Sequence, residues 1–186
     1  MQSLGKAINL LAACNIRIGA VARIMSLSLM GIMLAIMVAA VFFRYVLNDS
    51  LVWSEDVLLM MAIWMTFAVA PIAYRVGSNV SLDTLSGRIT GRSAHVLGFA
   101  THVLVMVLLV FLVIQTAGFI ERGWNIRANT VPVQMAWIYM IMPTAFIAML
   151  LVGAERALRD LVGIMDPLDD LALAPEPSAD MRVVED

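Results

Sequence analysis

The stretch SAHVLGFATHVLVMVLLVFLVIQTAGFI, which runs from Ser93 to Ile120, contains twenty-eight residues and no Asp, Glu, Lys or Arg. A helix of about twenty apolar residues crosses the roughly 30 Å hydrocarbon core of a bilayer and satisfies its own backbone hydrogen bonds there. Three other uncharged blocks are long enough to do the same: Ile24–Phe43, Val57–Tyr74 and Ala128–Ala154. The sequence therefore predicts an all-α integral membrane protein whose four transmembrane helices occupy about 24–43, 56–75, 96–120 and 132–154.

The amino-acid composition also indicates a protein that lies in a lipid bilayer. Of the 186 residues, 62% are hydrophobic and 14% are charged, and the mean hydropathy is +0.92. One small soluble core cannot bury that much apolar surface, which excludes a soluble enzyme and a nucleic-acid-binding protein. The single cysteine, Cys14, leaves no internal disulfide and no metal site built from cysteines.

Charge is distributed unevenly along the chain. Segment 166–186 contains seven acidic residues, three prolines and one basic residue, whereas residues 1–165 carry eleven basic and seven acidic residues. We expect 166–186 to be a disordered acidic tail after the four-helix membrane domain, 24–156, because it cannot bury enough apolar area to order itself. In segment 1–23, apolar residues recur at helical spacing opposite Lys6 and Arg17. This pattern predicts an amphipathic helix lying along the cytoplasmic membrane surface.

The distribution of lysine and arginine predicts the orientation of the spans. Three basic residues fall in the segments on one side of the predicted spans: Arg44, Arg122 and Arg127. Eight fall on the other side: Lys6, Arg17, Arg23, Arg75, Arg88, Arg92, Arg156 and Arg159. Since short cytoplasmic segments carry the excess of basic residues, both termini are predicted to be cytoplasmic.

The densest polar group lies between the first two spans. It contains Arg44 and Tyr45 at the end of the first span and Trp53, Glu55 and Asp56 at the start of the second. Ser54 is predicted to cap the second helix, with the two acids in its first turn. The group is explained either as a capped helical hairpin anchored at the interface or as a docking surface for another subunit.

The third span carries two histidines, His95 and His102, seven positions apart on one helical face. Two histidines invite a haem interpretation, but ligands about 10 Å apart on one side of one helix cannot hold one iron from opposite faces. Gln115 is interpreted as an interhelical hydrogen-bonding residue. A haem- or quinone-binding membrane anchor of a respiratory enzyme therefore stays the alternative function, and a free-standing four-helix membrane protein is a further one.

None of the four predicted spans has an Asp, Glu, Lys or Arg at mid-depth. Charged residues at that depth usually mark an ion or substrate path, so their absence argues against such a path within this chain. The sequence also contains no glycine-rich phosphate loop, paired-carboxylate site or nucleophile with a base. We therefore predict no catalytic, substrate-binding or metal-binding residue and no cofactor. The chain is interpreted as a partner of another protein that carries the active machinery.

Several motifs, taken in their order along the chain, resemble a known family. The first hairpin contributes Phe43–Tyr45, Asn48, Ser50 and Trp53–Asp56; the end of the second span and the following loop contribute Ala73–Gly77, Val80, Asp83 and Leu85; the fourth span contributes Val131, Pro132, Trp137, Tyr139 and Pro143. This pattern over about residues 20–160 resembles the small integral-membrane subunit of tripartite ATP-independent periplasmic (TRAP) transporters, the DctQ-type family.

The resemblance implies a noncatalytic permease subunit in the bacterial inner membrane. Its implied partners are a large membrane subunit, which moves an organic acid with sodium, a periplasmic substrate-binding protein and the lipid bilayer. The small subunit is implied to be a stationary scaffold. The family often has a histidine where Asn79 stands here, so a protonation role at that position is not carried over.

On this basis we predict that the following residues take part in docking or subunit interfaces: Arg44, Tyr45, Trp53, Glu55, Asp56, Arg75, Asn79, Asp83, Arg122, Arg127, Pro132, Trp137 and Pro143. A second expectation concerns small residues, because they allow helices to approach closely in membranes. Ala94, Gly98 and Gly118 are therefore predicted to form a face for packing against the large subunit.

Overall fold

The computed structural model describes residues 2–86, 92–128 and 130–165, without the side chains of residues 2–5, 7, 78–86 and 92–94. Within these ranges the chain forms five helices: α1 (Gln2–Tyr45), α2 (Val52–Ser86), α3 (Arg92–Gly123), α4 (Met135–Tyr139) and α5 (Ile141–Met165). The predicted acidic tail, 166–186, lies outside the described residues.

Four segments of these helices are apolar and long enough to cross a membrane: Ile8–Tyr45, Val52–Gly77, His95–Gly123 and Met135–Met165. Their number and order confirm the predicted all-α fold with four membrane-length helices. The cytoplasmic location of the termini and the surface position of residues 1–23 stay predictions.

Helix α1 is one continuous element of 44 residues, so the predicted first span and the segment before it share a single axis. At about 1.5 Å per residue it is roughly twice as long as a bilayer core is thick. It ends at Tyr45, and Asn48 adopts a φ of 52°, a left-handed conformation that asparagine tolerates better than most residues. The turn that follows reverses the chain and brings α2 back along α1.

Helix α2 begins before the residue predicted to cap it. Its first residue is Val52, so Ser54 lies inside the first turn and the N-cap prediction is wrong. The Ser54 hydroxyl instead donates a hydrogen bond of 2.7 Å to the carbonyl of Leu51. Glu55 does lie in the first turn, where the partial positive charge of the helix N-terminus favours an acid. The helix continues through Pro71 and past the predicted end at residue 75.

The fourth predicted span consists of two helices. Met140 separates α4 from α5, and Pro143 lies in the first turn of α5, where a missing backbone N–H costs no intrahelical bond. Gly123 at the end of α3 permits a close approach, because a Cβ there would lie 2.8 Å from the backbone nitrogen of Ala136. The end of α3 therefore packs directly against α4.

Helix α5 is the centre of the bundle, with its most extensive contacts to α3 and further contacts to α2 and α1. The α1–α2 turn and the α3–α4 loop lie at one end of the bundle, here called the hairpin end; the C-terminal half of α5 lies at the other, the terminal end. Along α2, twenty positions separate Glu55 at the hairpin end from Arg75 at the terminal end. That spacing is about 30 Å, which matches the thickness of a hydrocarbon core.

Candidate functional site

Polar side chains from two connections meet at the hairpin end. Arg44 at the end of α1 forms an ion pair of 2.8 Å with Glu55 at the start of α2. Asp56 accepts hydrogen bonds from the backbone nitrogen and the hydroxyl of Thr130, at 2.9 and 2.6 Å. The two contacts tie the α1–α2 turn to the α3–α4 loop, so both connections form one surface.

The α3–α4 loop adds basic and aromatic groups to this surface. Arg122 and Arg127 are exposed. Backbone pairing orders the loop, because Arg127 and Gln134 form an antiparallel bridge. The rings of Trp124 and Trp137 meet edge to face with centroids 5.9 Å apart. We call the charged and polar part of this region the hairpin surface; it comprises Arg44, Glu55, Asp56, Arg122, Arg127 and Thr130.

The structure places most of the predicted docking residues together. Those at the hairpin end are Arg44, Tyr45, Trp53, Glu55, Asp56, Arg122, Arg127, Pro132, Trp137 and Pro143. Arg75 lies at the terminal end of the bundle, and the side chains of Asn79 and Asp83 lie outside the described residues. The docking role of all thirteen residues stays a prediction.

A second polar group is buried at the terminal end, where three helices meet. Glu155 of α5 is 0% exposed. One of its oxygens accepts hydrogen bonds from Nε and Nη2 of Arg159, at 3.2 and 3.1 Å, and lies 3.8 Å from Nη2 of Arg75 in α2. The other oxygen accepts a 2.6 Å hydrogen bond from the amide of Asn15 in α1. Glu155 therefore links α5 to both α1 and α2.

Asp160, one turn further along α5, links α5 to α3. One of its oxygens lies 2.9 Å from Nδ1 of His102, and the other lies 3.4 Å from Nδ1 of His95. Two glycines make room for this arrangement: a Cβ at Gly98 would lie 2.9 Å from the Asp160 carboxylate, and a Cβ at Gly163 would lie 2.6 Å from the His95 ring. We call Arg75, Glu155, Arg156, Arg159 and Asp160 the buried charge cluster.

Comparison with known proteins assigns the family. A family model described as "Tripartite ATP-independent periplasmic transporters, DctQ component" matches residues 33–163. That match covers well over half of the 186-residue chain. The chain belongs to the DctQ family. No match to a curated protein was found.

Membership makes the chain a small permease subunit of a TRAP transporter and a multi-pass membrane protein. The DctQ match includes the hairpin surface and also reaches through the buried charge cluster, ending at the glycine that packs on His95. It excludes residues 1–32 and 164–186. Both polar regions are therefore parts of the DctQ segment of the chain.

The buried charge cluster was missed by sequence reasoning. Arg156 and Arg159 were counted as loop cations, but both lie within α5 and are 3% and 7% exposed. The available signal was the apolar pattern of Ala157–Met165, which continues the helix until Asp166 and Pro167. Asn15, in the segment predicted to lie along the membrane surface, is buried and donates a hydrogen bond to Glu155.

The histidines do not favour the haem-anchor alternative. His95 and His102 both direct Nδ1 towards the same carboxylate, that of Asp160, so they bracket an acidic side chain. The structure also corrects one packing expectation, because Gly98 packs against Asp160 within the chain. Gln115 is exposed on α3, and an interhelical hydrogen bond from it stays a prediction.

Proposed function

We propose that this DctQ-family subunit scaffolds the large membrane subunit of its transporter and helps dock the substrate-binding protein during sodium-coupled uptake of an organic acid. In this proposal the hairpin surface faces the periplasm, and both termini are in the cytoplasm of a bacterial inner membrane. The large subunit supplies the transport path, because each membrane-length helix of this chain contains at least eighteen consecutive residues without Asp, Glu, Lys or Arg.

One observation carries the docking proposal: the polar residues of two separate connections form a single exposed surface. The Arg44–Glu55 pair is solvent-accessible, with side-chain exposures of 52% and 74%. Exposed ion pairs contribute little to stability, so their charges are available to a partner at small cost. Charges around a contact region chiefly steer association and fix orientation, which suits a soluble protein that must bind and leave repeatedly.

The scaffold proposal is supported by a contrast between the exposed apolar face of α1 and the internally connected terminal end. Large apolar side chains of α1 are exposed within the chain, including Leu34, Met37 and Val41. Exposed apolar faces at membrane depth contact lipid or another membrane subunit. The terminal end, in contrast, is fastened internally through Glu155 and Asp160. A rigid unit with apolar outer faces can enlarge the stationary part of a transporter.

The docking proposal predicts a charge effect on binding of the substrate-binding protein. Arg122→Gln combined with Arg127→Gln should weaken that binding at low salt and reduce its salt dependence, because rim charges act mainly on association. The measurement is binding of the purified substrate-binding protein to the complete transporter in nanodiscs, at several salt concentrations. The matched control is Lys6→Gln combined with Arg17→Gln, since both of these cations are exposed towards the terminal end.

Binding is expected to fall in the Arg122/Arg127 variant and to stay at the wild-type value in the Lys6/Arg17 variant. Equal affinities and equal salt slopes for all three proteins would refute docking through this surface. The partners are identified independently by purifying the tagged chain gently from its native membrane. A larger polytopic protein in equal amount supports the scaffold role, whereas recovery with a haem absorbance spectrum would support the respiratory anchor.

A further inference from the structure

Arg156 is the member of the buried charge cluster that forms no ion pair with any described residue. It is 3% exposed, and its Nε atom has no hydrogen-bond partner in the part of the chain that the structure describes. Its Nη2 atom donates one long hydrogen bond, of 3.4 Å, to the backbone carbonyl of Arg75. A buried guanidinium normally has a hydrogen-bonded anionic partner, so this arrangement needs an explanation.

The two carboxylates of the cluster are already engaged by other groups. Glu155 accepts from Arg159 and Asn15 and lies near Arg75. Asp160 is bracketed by His95 and His102. Neither carboxylate forms an ion pair with Arg156 among the described residues, so the Arg156 guanidinium is a buried positive charge without an ion pair there. Burying such a charge near the membrane is costly unless a counter-charge lies beside it.

A second unpaired donor lies on the same side of α5. The hydroxyl oxygen of Tyr74 is buried and has no hydrogen-bond partner among the described residues. It lies 3.5 Å from the position of a Cβ at Gly153, three residues before Arg156 and so on the same helix face. The Arg156 guanidinium also contacts the backbone carbonyl of Arg75, the residue next to Tyr74, which places it in the same region. Two donors, from α2 and from α5, thus share one location.

We propose that Arg156 and Tyr74 bind a small monovalent anion, such as chloride, between α2 and α5 at the terminal end. An anion there accepts hydrogen bonds from Nε of Arg156 and from the Tyr74 hydroxyl. A water molecule would accept the same two bonds but would leave the buried Arg156 guanidinium without an ion pair, so the charge of Arg156 favours an anion. This site is independent of the docking proposed for the hairpin surface.

The test is the chloride dependence of thermal unfolding of the complete transporter in nanodiscs, with sulfate replacing chloride at constant ionic strength. A ligand that binds the native state raises Tm by mass action, and at ten times the dissociation constant the rise is roughly 3–6 °C. Wild type should show this rise, and Tyr74→Phe should lose most of it because the ring remains while the donor is removed. The matched control is Tyr139→Phe, which removes a hydroxyl from α4 and should keep the full rise.

A direct measurement covers the case in which Arg156 variants fold poorly. Chloride-35 NMR line broadening should be present for wild type and for Tyr139→Phe, and it should be reduced at least severalfold for Tyr74→Phe and for Arg156→Gln. A Tm that does not depend on chloride, or line broadening equal in all four proteins, would overturn the proposal. If Tm is independent of chloride and Arg156→Gln releases the large subunit, the counter-charge belongs to that subunit and the anion site is refuted.

Discussion

The hairpin surface and the buried charge cluster contain similar residues but use them differently. At the hairpin end, Arg44 and Glu55 form a 2.8 Å ion pair while remaining largely exposed. At the terminal end, Arg159 and Glu155 form a pair at 3.1 Å with side-chain exposures of 9% and 0%. Solvent screens the first pair and leaves it able to exchange partners, whereas the second pair is costly to separate because neither charge reaches water. The comparison suggests that one end of the subunit is available for binding and the other end holds the helices together.

The largest effect should come from breaking the buried pair. Glu155→Gln removes the charge that faces Arg159 and Arg75, and it should lower the free energy of unfolding by about 3–5 kcal/mol. Glu55→Gln at the hairpin end is the matched control and should cost about 1 kcal/mol or less. Both are measured by denaturant or thermal unfolding in nanodiscs. Equal losses in the two variants would remove the distinction between the two ends.

A smaller effect should come from the close approach that positions His95. Gly163→Ala places a Cβ 2.6 Å from the His95 ring, so the ring must move away from Asp160. Overpacking of this kind costs about 1–3 kcal/mol. Gly118→Ala is the matched control, since a Cβ at Gly118 meets no atom within 4 Å and alanine favours a helix by up to about 1 kcal/mol. Loss of stability in the Gly118 variant instead would locate the tight packing on a partner-facing side of α3.

The two regions also differ in how well the sequence predicted them. Hydropathy locates the apolar core of each span, and the polar residues around Arg44 and Glu55 follow directly from the short turn between two of them. The buried charge cluster could not be found in this way, because hydropathy treats each charge as a cost and ends the span before Glu155. Its partners, Asn15 and Arg75, come from helices that only the fold brings together.

The ends of the helices were also difficult to predict from the sequence. Helix α5 extends to Met165 without exposing Glu155 or Asp160, because both acids find partners on neighbouring helices. Just before the break at Met140, Ala136 and Tyr139 of α4 pack on Gly123 of α3, which is a tertiary contact. The sequence therefore predicts the number and order of the spans, while their ends depend on pairing between distant residues.

The smallest effect should come from the coupling between Arg44 and Glu55. A double-mutant cycle with Arg44→Gln, Glu55→Gln and the combined variant should give a coupling energy of about 0.2–1 kcal/mol, falling as salt increases. The same cycle on Arg159 and Glu155 should give a larger, less salt-dependent coupling, because that pair is buried. A strong, salt-resistant coupling between Arg44 and Glu55 would show that the hairpin surface is held in one arrangement by its own ion pair. Separating Arg44 from Glu55 to bind a partner would then cost about as much free energy as separating the buried pair. The docking proposal would in that case lose its physical basis.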